Sequence, residues 1–142
     1  STARSVRRAR AGSTPAGDHV RRGSFSPDFA RLAVLDILRS KSPPTAIFAS
    51  SDYLALGALA GLRQAGVDVP RQMSLIAFDD TPVGARLTPA LTAIRQPNEA
   101  IGRAGFQALY AQLNRKSAPK LTRLPVELIE RDSVATPRKG LL

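Results

Sequence analysis

Three short polar segments stand where apolar runs end. Ser50-Ser51-Asp52 follows the run 45–49 (TAIFA), Asp79-Asp80-Thr81 follows 73–78 (MSLIAF), and Arg95-Gln96 closes 91–96. Together they offer carboxylates, hydroxyls, a guanidinium and an amide. Such a set suits hydrogen bonding to a small polar molecule such as a sugar or a nucleobase. Phe25, after a weakly alternating stretch 19–24, adds a flat apolar wall that can cover C–H groups while a carboxylate accepts hydroxyl protons. Each residue taken singly has a plainer reading. Asp52 is a favourable charge at a helix N-terminus, Asp79-Asp80-Thr81-Pro82 is a turn, Phe25 is core, and Gln96 is a solvated residue before Pro97.

Bond-breaking chemistry finds little support. The chain has no Cys and one His, His19. It shows no metal-ligand spacing, nucleophile elbow or P-loop. Asp79 and Asp80 are adjacent, so in a strand they point to opposite faces and make a poor acid/base pair. The expectation is a binding module, not an enzyme, with no cofactor and no metal.

Positioning these groups requires alternating strands and helices. Ser26-Pro27-Asp28 opens a helix with Ala30, Ala33, Val34, Ile37 and Leu38 on one stripe, stopped by Ser42-Pro43-Pro44. Ser50-Ser51-Asp52 caps a second, with Ala55, Ala58, Leu59, Leu62 and Ala65 on one face and Gly66 past its end. Gln96-Pro97 opens a third, whose stripe is Phe106, Leu109, Tyr110 and Leu113. The runs 45–49, 73–78 and 91–95 read as strands, 126–130 as a last strand, and 19–24 as a short edge strand. Apolar runs separated by helices predict an α/β fold, an open parallel sheet with helices on both faces. In such sheets ligands sit outside the carboxyl ends of the strands, where the three polar segments fall.

The 142 residues carry 21 Lys+Arg against 11 Asp+Glu, a formal net charge of +10. The excess sits at the ends: residues 1–24 hold six Arg and one Asp, while 25–112 are near neutral. A basic end gives at most phosphate contact without sequence choice. The longest mainly apolar run without a charge, 53–62, is too short to span a bilayer, and no secretory leader is visible. The expectation is a cytoplasmic protein with no membrane partner. Residues 1–18 read as a basic, disordered segment, 19–135 as the folded unit, and 136–142 as a frayed tail.

Several motifs occur together in a specific order: PTAIFASSD (44–52), the A-L-G of the second helix, MSLIAFDD (73–80), LTPALTAIRQP (87–97) and LPVELIERDS (124–133). In type and spacing this set resembles the C-terminal effector-binding portion of LacI/GalR-type transcriptional repressors, over roughly residues 23–133. The resemblance implies a periplasmic-binding-protein-like lobe and an effector site made by Asp79, Ser51, Asp52, Phe25 and Gln96. An Arg from the stretch holding Arg4, Arg7 and Arg8 would join them. It implies a homodimer contact through 54–62 and 83–91, with Leu54, Ala58, Leu62, Val83 and Leu87 in it. It also assigns 97–115 to a crossover helix of a second, missing lobe. Nothing in residues 1–22 reads as the helix-turn-helix of such repressors, so the resemblance leaves DNA recognition to a domain this chain lacks. A solute-binding protein of a transport system shares the fold and is the alternative.

Two expectations about packing follow. The helix 97–115 should be loosely held, its apolar stripe wet. Ile47, Leu59, Leu75, Ile76 and Ile94 should be the best-buried side chains.

Overall fold

The computed structural model describes residues 19–137. The basic segment 1–18, with Arg4, Arg7 and Arg8, and most of the tail 136–142 lie outside the described residues.

The first helix, α1 (Pro27–Leu38), starts where the sequence signals it. Ser26 is the N-cap and its Oγ accepts from the Phe29 N–H at 3.1 Å, with proline in the first turn. Such a cap stabilises a helix by ~1 kcal/mol. Ala30, Val34 and Ile37 are its buried stripe. The strand β1 (Ala46–Phe48) leads into α2 (Asp52–Gln64), capped by Ser51, whose Oγ accepts from the Leu54 N–H at 3.1 Å. Beyond it Gly66 takes φ +69°, the left-handed backbone that ends many helices and favours glycine.

The remaining elements are β2 (Ser74–Asp79), the one-turn α3 (Pro82–Ala85), β3 (Thr92–Arg95), α4 (Asn98–Leu113) and β4 (Glu127–Ile129). The sheet order is β1-β2-β3-β4. The first three strands are parallel, with Ile47 opposite Leu75 and Ala77 opposite Ala93, whereas β4 runs antiparallel to β3, with Ala93 opposite Ile129. The sheet is therefore mixed, its parallel ladder closed by one returning strand.

The stretch 19–24 forms no strand. Its Arg21 is drawn instead to Asp36 of α1, with Nε and Nη2 both 2.7 Å from Oδ2. Among the described residues no strand pairs with the outer edge of β1, and a groove of about 570 Å³ lies along it, lined by His19, Phe29, Ile37 and Ile47 among others.

One face of the sheet carries the core: Leu75, Ala77, Leu91 and Ala93 meet Ala55, Ala58, Leu59 and Leu62 of α2. Leu59 and Leu75 are buried as expected. Ile47, Ile76 and Ile94 are only half-buried, a correction to the expected core. Ile76 and Ile94 point to the opposite face, where Phe48 is 58% and Leu128 48% exposed; Ile47 shares the core face but sits at that outer edge.

The helix α2 is apolar nearly all round and is enclosed accordingly. Gly57 and Gly61, one turn apart, lie against the α1 backbone: a Cβ on Gly57 would overlap the Pro27 carbonyl oxygen, and one on Gly61 would lie 2.8 Å from that of Arg31. At the other extreme, α4 has no buried residue, and Phe106, Leu109, Tyr110 and Leu113 are 56–74% exposed.

Ser133 fastens the sheet at its amino edge. Fully buried, it donates its Oγ hydrogen to the Leu75 carbonyl at 2.5 Å and accepts from the Thr92 N–H at 2.8 Å. Its own carbonyl accepts from the Leu75 N–H at 2.8 Å. Two adjacent strands are thus held by one small residue.

Candidate functional site

Both helix N-termini of the packed half, those of α1 and α2, reach the edge of the sheet where β1, β2 and β3 end. Each segment singled out by sequence arrives at this edge, but with different work to do.

At the end of β2 the backbone turns sharply: Asp79 has φ 105° and Asp80 φ 58°, conformations that side-chain-bearing residues rarely adopt and that cost ~1–3 kcal/mol each. The turn separates the two carboxylates. Asp79 Oδ1 accepts from the Gln96 amide nitrogen at 2.6 Å, joining the ends of β2 and β3. Its side chain remains part-exposed and keeps acceptor capacity. These two residues, singled out separately in the sequence, are brought together.

Asp80 turns inward, its side chain 3% exposed. Arg95 Nε and Nη2 both lie 2.7 Å from Asp80 Oδ2, and Arg131 Nη2 lies 2.6 Å from Oδ1. Arg131 also donates from Nη1 to the Leu91 carbonyl at 2.6 Å, and Arg95 reaches Glu127 at 3.4 Å. Burial alone would raise the Asp80 pKa, but the guanidiniums of Arg131 and Arg95 outweigh it and hold the carboxyl below its ordinary value of 3.8. Sequence reasoning placed Asp80 among the polar groups offered to a ligand and gave Arg131 no role; the structure instead ties Asp80 to Arg95 and Arg131. The available signal was the adjacency of Asp79 and Asp80: neighbours that must face apart cannot share one task.

Ser51 and Asp52 are each 3% exposed. The Ser51 hydroxyl is engaged as a helix cap, and Asp52 Oδ2 accepts from the Thr81 N–H, pinning the loop after β2. Gly84 leaves room for that carboxylate, since a Cβ there would lie 3.3 Å from Asp52 Cγ. The other oxygen, Oδ1, has no hydrogen-bond partner among the described residues. Ser50, beside them, is exposed.

Phe25 is 67% exposed and so is not core. Its ring centroid lies 5.6 Å from that of Tyr53 in the first turn of α2, a residue sequence reasoning passed over.

The surface expected to pair two copies is placed differently. Ala58 is 2% and Leu62 0% exposed within the lobe's own core, and Leu54 and Leu87 pack partly against it. Ala58 and Leu62 therefore have almost no surface left for a partner in this structure, while Leu54 and Leu87 keep some. Val83 alone of the five is open, at 51%.

Among the described residues no group of three or more His, Cys, Asp or Glu could hold a metal ion. No described helix is long and apolar enough to cross a membrane.

A family model described as a periplasmic binding protein-like domain matches residues 3–134. The HTH-type transcriptional repressor PurR of Escherichia coli O1:K1 is 37% identical over 114 residues, covering 80% of this chain and 33% of that protein. The chain therefore spans about a third of the length of the curated relatives it matches. Among solved structures, a LacI family transcriptional regulator from Enterococcus faecium with bound ribose superimposes with a TM-score of 0.69 at 32% identity, covering 82% of this chain and 42% of that one. The transcriptional regulator CelR–cellobiose complex gives 0.71 at 30% identity, covering 78% and 34%.

Proposed function

Because the chain belongs to the periplasmic binding protein-like domain family, as the effector-binding portion of a LacI/GalR-type regulator, we propose that the rim at the carboxyl ends of β1–β3 binds a small sugar or related effector. The observation that carries this reading is the Asp79–Gln96 pair, a part-exposed carboxylate fixed at 2.6 Å on the strand edge. Asp79 accepts effector hydroxyls, Gln96 orients Asp79, and Phe25 covers the apolar face of the ring. Ser51 and Asp52 act from behind, by shaping the loop after β2. In the complete regulator the effector would favour one of two arrangements of the lobes and so change DNA affinity, by as much as it binds those arrangements differently.

DNA recognition belongs, on this reading, to a domain outside the chain, with only non-specific phosphate contact here. The protein works in the cytoplasm as a homodimer whose contact centres on α3 and Val83, not on the buried positions of α2. Relatives that are transcriptional regulators favour this over the transport alternative, and no residue is assigned a catalytic role.

Calorimetric titration of the chain with ribose, glucose and a nucleobase tests the proposal. Binding of at least one, weakened about ten- to hundredfold in Asp79→Ala, is expected from the loss of charge-assisted hydrogen bonds. Binding that is indifferent to Asp79 would overturn the placement of the site.

A further inference from the structure

Phe25 and Tyr53 project from the starts of different helices, one just before the Ser26 cap and the other just after the Ser51 cap. Both helices start at the effector edge, and both rings are largely in water, 67% and 49% exposed. Two aromatic side chains that pack on each other at 5.6 Å, tilted by 34°, and still leave this much surface open form a continuous apolar patch. Solvent gains nothing from such a patch, and ligand rims use aromatic faces in this way. The patch adjoins the loop 50–52, and Asp52 holds Thr81, which directly follows the turn bearing Asp79. Acceptor groups for hydroxyls and an aromatic surface for C–H faces therefore lie along one edge.

Resting on the effector reading above, we propose that Tyr53 is a specificity-determining residue that extends the stacking surface beyond Phe25, so that the site selects a sugar with a second ring over a single-ring sugar. One pyranose covers one aromatic ring; the second ring of a disaccharide has Tyr53 to lie against. The phenol oxygen at the far end of that side chain adds a donor and acceptor for a hydroxyl of the second unit. The first unit is held by Asp79 and Phe25, so Tyr53 bears mainly on the second.

The composition supplies the reporter. The chain has no Trp and two Tyr, Tyr53 and Tyr110, so Tyr110→Phe on the unpacked α4 leaves Tyr53 as the single strong emitter. Cellobiose should change its emission saturably. By calorimetry cellobiose should bind about five- to tenfold more tightly than glucose, the return expected of one added aromatic contact. Tyr53→Ala should weaken cellobiose more than glucose and so bring the two affinities together, and Tyr53→Phe should restore most of the preference. A cellobiose preference that survives Tyr53→Ala, or saturation of the chain by cellobiose with no change in Tyr53 emission, overturns the proposal. If neither sugar binds by calorimetry, the sugar reading of the rim falls first and this inference with it.

Discussion

Replacing Gly57 by alanine is the sharpest probe of how α1 and α2 meet. The added methyl would overlap the Pro27 carbonyl oxygen and lie 2.6 Å from Pro27 C and Cα. All three atoms are backbone, and the proline ring holds φ, so none can swing aside as a side-chain tip would. To regain ordinary van der Waals distance α1 must retreat by about 1 Å, opening the seam lined by Ala30, Val34 and Ile37. Overpacking of this kind costs ~1–3 kcal/mol or more, while alanine returns ~0.8–1 kcal/mol of helix propensity. An overlap with fixed backbone falls at the upper end of that cost, so the net expectation is a loss of about 2 kcal/mol, or a melting temperature lowered by about 5–10 °C for a chain of this size.

Gly61 supplies an internal comparison. A methyl there meets the Arg31 carbonyl oxygen at 2.8 Å and Val34 Cβ at 3.2 Å, so a shift of a few tenths of an ångström relieves it. The propensity gain then offsets most of the strain, to within about 1 kcal/mol of zero. Gly102 on α4 has open space around it, so Gly102→Ala should raise helicity with little effect on the main transition. Urea unfolding followed by far-UV circular dichroism reads all three at constant m-value. A Gly57→Ala protein as stable as the parent, or a Gly61→Ala protein less stable than Gly57→Ala, would refute the close-packed seam.

Two further outcomes can be checked on the same material. The Asp80 pKa is lowered in the folded chain, so its stabilisation is fully present above 3.8 and fades as pH falls toward the folded value. Asp80→Asn should lose about 1.5–3 kcal/mol at neutral pH and show a shallower acid-side decline; parallel pH curves for the two proteins would count against the clamp. Trypsin should cut at Arg103 of α4 before Arg31 or Arg63 in the packed helices, because α4 buries nothing. Early cleavage at Arg31, seen by mass spectrometry, would show that the packed half is the looser one.

Helix starts were legible because caps are local: Ser26 and Ser51 each bond an N–H three residues on, and no distant partner is required. The strands were legible from their apolar runs, but the direction of β4 was not, since direction depends on how the chain returns. The misplaced isoleucines share a cause. Continuous apolarity says that a strand suits cover on both faces, and the described residues cover only one. Ala58 and Leu62 were assigned to a partner contact because α2 is apolar on several sides, and pattern alone does not say which side meets β2. At the rim, Asp79 and Gln96, which hydrogen-bond to each other, were singled out through the spacing of motifs. The pairing of Asp80 with Arg131 was missed because it spans 51 positions and leaves no periodic trace. Tyr53 was missed because a lone aromatic in a first helical turn has no pattern to belong to.

The buried Ser133 has a bearing on the order of events during synthesis. Its partners, the Leu75 carbonyl and the Thr92 N–H, lie 58 and 41 residues earlier in the chain. Ser74 Oγ likewise accepts from the Ala135 N–H at 3.1 Å. On a ribosome the segment from α1 to β2 emerges long before these partners do, and its helix–helix seam can form from contacts already available. The two inner strands cannot be fastened until residues 133–135 have cleared the exit tunnel. A nascent chain stalled short of that point would hold α1 and α2 together beside strands whose register rests on their backbone ladder and apolar pattern alone, without the clasp at their amino ends.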